Sequence, residues 1–345
     1  MFYDYCLNIG QIKNNNENQL FKKTKKRKKK QKFKKKKYKY KSKSKLKKIL
    51  LTIIIFLFCC LLALLITVKY IFNDYYIIFN RKPKIVAISY GNDLYKKQLQ
   101  VNKKSAIEVG EVDEYYSYGP DDIDPVFREK NKDILNRKRG NGYWIWKSYF
   151  INKTMIEKLN YGDYLIYADA GILYMNSSHL LIDFMKKQKA NMWAYKLTIL
   201  EKTYTKRDAF ILMDADTPYY YDTNQYMAGI QIYKKSNYTV KFIQEWLNYC
   251  QDERIITGIK NTLGHHNYPG FIENRHDQTA LSILIKKYGE ANSGSSNMTL
   301  DELKQRKHII MPNIICMYRR KPFKDYDDIK EKCKKTIEYQ NHIFS

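Results

Sequence analysis

The feature that most constrains this chain is an apolar run at residues 49–68, which contains no charged side chain. Its length of 20 residues is what a helix needs to cross about 30 Å of hydrocarbon. A core helix of a globular domain would carry a polar stripe, and this run has none. A cleaved signal peptide would have a shorter apolar stretch near residue 1 and a small-residue cleavage site. The run therefore predicts one transmembrane anchor.

The charge distribution predicts the orientation of that anchor. Residues 1–48 contain 20 Lys or Arg and two acids, so most of the net charge of +28 lies in this tail. A tail of this composition buries too little apolar surface to fold. Three lysines adjoin the first end of the run and only Lys69 adjoins the other, which places the tail in the cytoplasm. We interpret the tail as a topogenic segment and expect no nucleic-acid partner.

These observations predict a type II membrane protein with its main domain in the Golgi or ER lumen. We expect a tail at 1–48, an anchor at 49–68, a stem at 69–83 and a folded domain at 84–345. Four acceptor sequences for N-glycosylation agree with lumenal placement. They begin at Asn152, Asn176, Asn237 and Asn297. The cysteines after the anchor (Cys250, Cys316 and Cys333) allow one disulfide but no dense framework.

Beyond the stem, short apolar runs that end in turn residues alternate with segments of helical spacing. The predicted strands are 85–90, either 106–109 or 114–118, 164–168, 192–195 and 228–233. The predicted helices are 94–104, one opened by Pro125, 145–159, 239–249 and one that follows Asp277. This alternation indicates an open, mostly parallel α/β sheet flanked by helices. Ligands of such sheets bind beyond the carboxyl ends of the strands, which points to segments 89–91, 169–171 and 275–278.

Four segments in this region resemble a known family. They are 139–147 (Arg-Gly-Asn-Gly-Tyr-Trp-Ile-Trp-Lys), 164–171 (Tyr-Leu-Ile-Tyr-Ala-Asp-Ala-Gly), 227–235 (Met-Ala-Gly-Ile-Gln-Ile-Tyr-Lys-Lys) and 276–278 (His-Asp-Gln). Their order and spacing are similar to those of nucleotide-sugar glycosyltransferases with the GT-A fold, the nucleotide-diphospho-sugar transferase superfamily. Segment 139–147 is most similar to members of microbial surface-polysaccharide type. The resemblance extends from residue 84 to about residue 289.

The resemblance implies a GT-A-like domain that moves a sugar from a nucleotide-diphosphate donor to a hydroxyl of a glycan, glycoprotein or glycolipid. The nucleotide is expected over Ser89 and Tyr90, the diphosphate at Lys147 and Asp169, and the acceptor near Asp277 and the segment before Ala228. The implied catalytic residues are Asp169 and Asp277, the donor-binding residues are Ser89, Tyr90, Trp144, Lys147 and Arg275, and the metal ligands are Asp169 and His276.

The departure of a diphosphate requires neutralisation of its charge by a divalent metal ion, Lys or Arg. Oxygen ligands suit Mn²⁺ or Mg²⁺. However, Gly171 occupies the position of the second aspartate in the family's Asp-x-Asp motif. Two schemes therefore stay open, one with a metal ion at Asp169 and one that relies on Lys147 and Arg275.

A second segment, Asp214-Ala215-Asp216, matches the Asp-x-Asp pattern letter for letter. Two arguments disfavour it. Residues 205–208 read as a capping box, which makes 209–213 a helix. A strand at Ala228 would also follow too closely for a crossover helix.

Simpler interpretations also stay open. Asp277 could serve only as a helix cap, and Trp144 and Trp146 could be core aromatics. The alternative function is a catalytically inactive, membrane-tethered binding or scaffold protein on a transferase fold, which the glycine at position 171 favours.

Overall fold

The computed structural model describes Lys45 and residues 47–69, 81–289, 315–318 and 323–344, with side chains of the last range up to Lys335. The chain divides into two units, Met1–Lys82 and Pro83–Ser345. The predicted stem and the sequon at Asn297 lie largely or wholly outside the described residues, as does nearly all of the basic tail.

In the first unit, the helix α1 spans Lys47–Lys69 and includes the whole predicted apolar run. Its 23 residues are long and apolar enough to cross a membrane. Its large apolar side chains are exposed along the whole length of the helix.

The second unit contains a five-stranded sheet with the order β2-β1-β3-β6-β5. The strands are β1 (Ile85–Tyr90), β2 (Glu114–Tyr118), β3 (Tyr164–Ala168), β5 (Met192–Leu200) and β6 (Asn224–Lys234). β1 pairs in parallel with both β2 and β3. β6 is antiparallel to β3 and to β5, so four strands share one direction and β6 opposes them. The predicted α/β sheet, mostly parallel in direction, is confirmed.

The direction of β6 corrects one argument made from the sequence. Because β5 and β6 are antiparallel, their connection requires no crossover helix. The short distance from Asp216 to Ala228 therefore does not count against the Asp214-Ala215-Asp216 segment.

Besides two short 3-10 helices, Asp93–Tyr95 and Pro120–Asp122, residues 81–289 contain twelve α-helical segments that connect the strands or cover the faces of the sheet. They are α2 (Lys96–Glu108), α3 (Pro125–Lys130), α4 (Lys132–Leu135), α5 (Gly140–Tyr143), α6 (Ile145–Glu157), α7 (His179–Lys187), α8 (Glu201–Tyr204), α9 (Arg207–Leu212), α10 (Pro218–Tyr221), α11 (Asn237–Cys250), α12 (Glu253–Ile256) and α13 (Asp277–Lys287). α2 continues to Glu108, so the second strand is 114–118 and the alternative at 106–109 is wrong.

Local capping explains where α3 begins but not where α9 begins. Asp124 accepts hydrogen bonds from the backbone N–H groups of Val126 and Phe127, and Pro125 takes the first position of α3, as predicted. α9 also forms where a helix was predicted, but the expected capping box is wrong. The Thr205 hydroxyl donates to Glu201 and does not cap α9.

The two faces of the sheet bury separate hydrophobic clusters, because alternate strand residues point in opposite directions. Ile88 and Tyr167 belong to the cluster beneath α6, α11 and α13, which also contains Trp246. Ala87 and Ile166 belong to the cluster that covers the opposite face. Lys147, near the start of α6, is therefore on the same side of the sheet as Tyr167.

A smaller two-stranded sheet adjoins the loop that follows β3. It pairs β4 (Ile172–Tyr174) with β7 (Ile315–Met317) in antiparallel fashion. Cys316 forms a disulfide with Cys333 of the last helix, α14 (Tyr326–Phe344), which accounts for the one disulfide that the sequence allows. Directly after β7, the Tyr318 backbone N–H donates to the Gly171 carbonyl at 3.0 Å. The C-terminal segment therefore holds the loop beside Asp169.

A fully buried ion pair fixes α13 against the start of α8. Lys286 Nζ lies 2.6 Å from Glu201 Oε2, and both side chains are 0% exposed. Glu201 also accepts hydrogen bonds from Thr205, Gln225 and Ser282. Such a pair matters most when one member is removed, because the other is left as an uncompensated buried charge.

We expect Lys286→Met to lower the free energy of unfolding of the full chain in detergent micelles by about 3–5 kcal/mol. Lys202→Met is the matched control, since Lys202 pairs with Asp222 at the surface, and it should cost less than about 1 kcal/mol. Urea unfolding followed by circular dichroism measures both. Equal losses in the two variants would contradict the assigned role of the Glu201–Lys286 pair.

Candidate active site

The candidate active site begins where β3 ends. Asp169 directly follows the buried strand, and its backbone N–H donates to the Gly229 carbonyl of β6 at 2.8 Å. Because β1 and β3 are parallel, Tyr90 and Ala168 end at the same edge of the sheet. That edge is where open α/β sheets bind their ligands.

The ammonium of Lys147 is the centre of the site. Lys147 Nζ lies 3.2 Å from Asp169 Oδ1 and 3.0 Å from Asp277 Oδ2, and it donates to the Ala228 carbonyl at 3.0 Å. The Lys147 side chain is only 4% exposed. These three oxygen atoms, two in ion pairs and one in a hydrogen bond, surround the ammonium. We call Lys147, Asp169, Asp277 and the Ala228 carbonyl the Lys147 cluster.

Burial and charge act in opposite directions on the two buried members of this cluster. Burial alone would lower the pKa of Lys147, but the carboxylates of Asp169 and Asp277 outweigh it and raise that pKa. For Asp277, burial raises the pKa of the carboxyl to about 6, although the ammonium of Lys147 opposes the shift. Lys147 is therefore charged near neutral pH, and Asp277 is the member that titrates closest to it.

Asp169 is the member of the cluster that faces outward. Its side chain is 44% exposed, whereas that of Asp277 is 5% exposed. Asp169 Oδ1 accepts a hydrogen bond from the Tyr167 hydroxyl at 2.6 Å, besides its contact with Lys147. Within the described part of the chain, Oδ2 accepts no hydrogen bond. The absence of a side chain at Gly229 keeps the space beside Oδ2 open, since a Cβ there would lie 3.2 Å from that oxygen.

Lys147 is positioned by a backbone turn of unusual conformation. Five consecutive residues, 140–144, have positive φ values between 52° and 93°. Backbone hydrogen bonds from Tyr143 to Arg139 and from Trp144 to Gly140 make this segment a left-handed helical turn. Such a conformation costs roughly 1–2 kcal/mol for each residue that is not glycine. Strain of this kind concentrates at functional sites.

Gly140, the first of two glycines in this turn, is required by packing as well as by conformation. A Cβ at Gly140 would lie 2.2 Å from the Trp144 ring. Trp146 Nε1 donates to the Gly140 carbonyl at 2.9 Å, and its ring stacks on Tyr90 with centroids 3.8 Å apart. The motif at 139–147 thus builds the support on which α6 presents Lys147.

His276 positions Asp277 from the other side. It has φ 60° and ψ −120° and forms the N-cap of α13, with Asp277 as the first helical residue. Its Nδ1 donates to the Ile256 carbonyl at 2.7 Å, because Nε2 accepts from Arg139 Nε at 2.8 Å. Burial lowers the pKa of His276 to about 4, so the imidazole is neutral near pH 7. The Nε2 lone pair that a metal ion would need is already used by Arg139.

The remaining donor-binding candidates lie outside the Lys147 cluster. Ser89 and Tyr90 point to opposite faces of the sheet, and Tyr90 is buried under Trp146. Trp144 is half-buried and stacks on His276 with centroids 5.4 Å apart. Arg275 lies 3.7 Å above the centre of the Tyr204 ring and forms no ion pair with a described carboxylate.

The rival segment between α9 and α10 has its own partners. Asp216 pairs with Arg207 at 3.2 Å and accepts a hydrogen bond from the Tyr268 hydroxyl at 2.7 Å. Asp214 is exposed and has φ 49°. Neither side chain contacts the Lys147 cluster.

Two members of the site were missed from the sequence. The Ala228 carbonyl is a main-chain group, which no residue type indicates. Gln278 accepts a hydrogen bond from the Ala228 backbone N–H at 3.0 Å and donates to Gln225 at 2.7 Å, and it thereby holds β6 in place. Its position after His276 and Asp277 in the motif was the available signal.

The geometry of the cluster does not fit a divalent metal ion. The ammonium of Lys147 already occupies the position between the two carboxylates that a shared cation would take. Among residues 45, 47–69, 81–289, 315–318 and 323–344, no three His, Cys, Asp or Glu side chains converge as a metal site. Residue 171, two positions after Asp169, is a glycine and supplies no second carboxylate.

Three solved structures have a related architecture. The WbbM bifunctional glycosyltransferase is 9% identical with a TM-score of 0.36, and the match covers 59% of this chain but only 38% of WbbM. The galactosyltransferase LgtC is 14% identical with a TM-score of 0.38, covering 74% of this chain and 95% of LgtC. Mouse xyloside xylosyltransferase 1 is 10% identical with a TM-score of 0.33, covering 60% of this chain and 83% of that protein.

All three are glycosyltransferases. The likenesses are distant, and no activity, donor or acceptor follows from them. No family model matches the sequence, and no curated protein matches it at a significant level.

The pKa of Asp277 leads to a prediction about stability. Because the folded-state pKa of about 6 lies above the ordinary value of 3.8, the folded protein retains a proton that the unfolded chain releases between these pH values. The stability contributed by this group is complete below about pH 4 and is lost as the pH rises through about 6, by about 3 kcal/mol in total.

We therefore expect Asp277→Asn to remove this pH dependence. The free energy of unfolding of the wild type and of the variant is measured with urea at several pH values between 4 and 7. The difference between the two proteins should change with pH. Asp183→Asn, which alters an exposed carboxylate, is the control and should retain the wild-type slope. A pH-independent difference between wild type and Asp277→Asn would show that Asp277 has an ordinary pKa.

Proposed function

We propose that this chain is a membrane-anchored glycosyltransferase that uses a nucleotide-diphosphate sugar. One observation carries the proposal. The four segments whose order resembles the GT-A family meet at a single atom, Lys147 Nζ, through Lys147 itself, Asp169, the Ala228 carbonyl and Asp277. They come from α6, β3, β6 and α13. A convergence of separate motifs at the carboxyl edge of a sheet is typical of a functional site.

The donor would lie along this edge. We place the nucleoside next to the predicted Ser89 and Tyr90, where β1 ends. The Asp169 side chain is 44% exposed, and its Oδ2 accepts no hydrogen bond from a described residue. It therefore suits the hydroxyl groups of the nucleotide sugar. Arg275, which forms no ion pair with a described carboxylate, suits the diphosphate better than Lys147, which is buried between two carboxylates and the Ala228 carbonyl.

In the proposed reaction, an acceptor hydroxyl attacks the anomeric carbon of the sugar, and its proton passes to water. The bond from that carbon to the phosphate oxygen breaks, and the nucleoside diphosphate leaves with the bonding electron pair. Asp169 is the carboxylate of the cluster that can touch the substrates. Asp277, which is buried against Lys147, acts through its hold on Lys147.

The proposed location is the Golgi or ER lumen, with α1 as the anchor and the basic tail in the cytoplasm. The Cys316–Cys333 disulfide supports an oxidising compartment for the second unit. The acceptor would be a glycan, glycoprotein or glycolipid that passes through that compartment.

The alternative is a binding protein without turnover on the same fold. The burial of Lys147 and Asp277 favours it, since this leaves Asp169 as the only outward side chain of the cluster. Such a binding protein would hold a nucleotide sugar without consuming it, and this difference from the proposed enzyme can be measured.

We expect the full chain in detergent micelles to bind one nucleotide family from a panel of UDP-, GDP- and CMP-sugars, and to release the nucleotide slowly by hydrolysis. Asp169→Asn should weaken binding about 10- to 100-fold, because a charge-assisted hydrogen bond is worth about 1.5–3 kcal/mol. Gly229→Ala should weaken it similarly, since its Cβ would lie 3.2 Å from Asp169 Oδ2.

Thermal shift and calorimetry measure binding, and nucleotide release is measured by chromatography. Asp183→Asn is the control, because it removes an exposed carboxylate elsewhere. Binding that persists in Asp169→Asn and Gly229→Ala would place the donor elsewhere. Binding without any release would support the binding-protein alternative.

The orientation is tested by the sequons. Asn176 and Asn237 are exposed, whereas Asn152 is only partly exposed and lies within α6. We expect a glycosidase-sensitive mass shift in a eukaryotic host that is reduced by Asn176→Gln and by Asn237→Gln. Asn152→Gln is the control and should leave it unchanged. A chain with no shift would contradict lumenal placement.

A further inference from the structure

We propose that Lys147 is a built-in cation, so that the site binds its donor without a divalent metal ion. This inference rests on the proposed function for the identity of the donor, but its claim about metal binding stands independently. It decides between the two schemes that the sequence left open.

The first argument is geometric. Two carboxylates from different elements, Asp169 after β3 and Asp277 at the start of α13, converge on one point with a main-chain carbonyl from β6. Oxygen atoms in this arrangement are what Mg²⁺ and Mn²⁺ bind. The point of convergence is filled by the Nζ of Lys147, at 3.0–3.2 Å from all three oxygens.

The second argument concerns the cost of displacing Lys147. Its side chain is 4% exposed and lies between the carboxylates of Asp169 and Asp277, which hold it in place. A metal ion that entered would have to share a closed space with a fixed positive charge. That repulsion is strong where little water screens it.

The third argument concerns Gly171. In the Asp-x-Asp pattern, the second aspartate helps to hold the cation. Here the Gly171 carbonyl is tied to the Tyr318 backbone N–H, and the second carboxylate of the cluster comes from Asp277 instead. A cation supplied by the chain requires no further ligand, which explains how a glycine is tolerated at this position.

The role of Lys147 is then that of a positioning residue. It holds Oδ1 of Asp169, while Oδ2 stays available to the ligand. It does not itself contact a phosphate oxygen, because it is buried and enclosed by three oxygen atoms of the chain.

Two measurements on the full chain in detergent micelles test this. The first is titration with Mn²⁺ followed by electron paramagnetic resonance, in wild type and Asp169→Asn. We expect no difference between them, because Asp169 holds no ion. One Mn²⁺ per chain that is bound by wild type and lost in Asp169→Asn would overturn the proposal.

Removal of the ammonium gives the converse result. Lys147→Ala leaves space beside two carboxylates, and we expect it to gain one bound Mn²⁺ per chain. Lys147→Ala/Asp169→Asn is the matched control and should not gain it. A folded Lys147→Ala variant without this gain would contradict the idea that the ammonium occupies a cation position. If the variant does not fold, the comparison of wild type with Asp169→Asn still decides the question.

The second measurement is calorimetric binding of the nucleotide sugar that stabilises the wild type, in EDTA and in Mn²⁺. We expect dissociation constants within about twofold of each other. A loss of tenfold or more in EDTA would overturn the built-in cation while leaving the proposed function intact. If no nucleotide sugar binds under either condition, the proposed function fails, and the Mn²⁺ titration alone judges the role of Lys147.

Discussion

The buried ammonium of Lys147 must be met by oxygen atoms, because an unpaired charge in the interior costs several kcal/mol. Its three partners come from the end of β3, the middle of β6 and the start of α13. A shift of any of these elements by one residue would remove an oxygen from the ammonium. The register of β6 against β3 and the entry point of α13 are therefore linked to one side chain, and the shape of the site follows from that requirement.

The left-handed turn before α6 positions Lys147 at this point, and its backbone is strained. Three of its five residues are not glycine, so the strain amounts to roughly 3–6 kcal/mol. Contacts that the turn itself creates offset this strain. Trp146 stacks on Tyr90, Trp144 stacks on His276, and the Asn141 amide donates to the Tyr90 hydroxyl. The aromatic residues of the motif thus have a structural explanation that does not require them to stack on a nucleotide base.

Much of the fold could be predicted from the sequence because buried strands are marked by short apolar runs such as 85–90 and 164–168. The direction of β6 could not be predicted, since an apolar run does not indicate whether its strand is parallel or antiparallel to its neighbours. The argument from a crossover helix failed for that reason. In the site, the sequence predicted that Lys147, Asp169 and Asp277 lie near the ends of helices or strands. Their mutual contact was not, because it depends on the Ala228 carbonyl and on the burial of Asp277. Ser89 and Tyr90 were grouped as neighbours in sequence, although alternation sends them to opposite faces.

The position of α13 is determined at both of its ends. Asp277 lies in its first turn and Lys286 in its last, which is the arrangement that the helix dipole favours. Each is buried against an opposite charge, Lys147 at the start and Glu201 at the end. Gln278 and Gln225 connect the two ion pairs, since Gln278 contacts Ala228 and Gln225 donates to Glu201. A helix held in this way at both ends can keep a carboxylate beside an ammonium with little freedom to move, which is what a fixed internal cation requires.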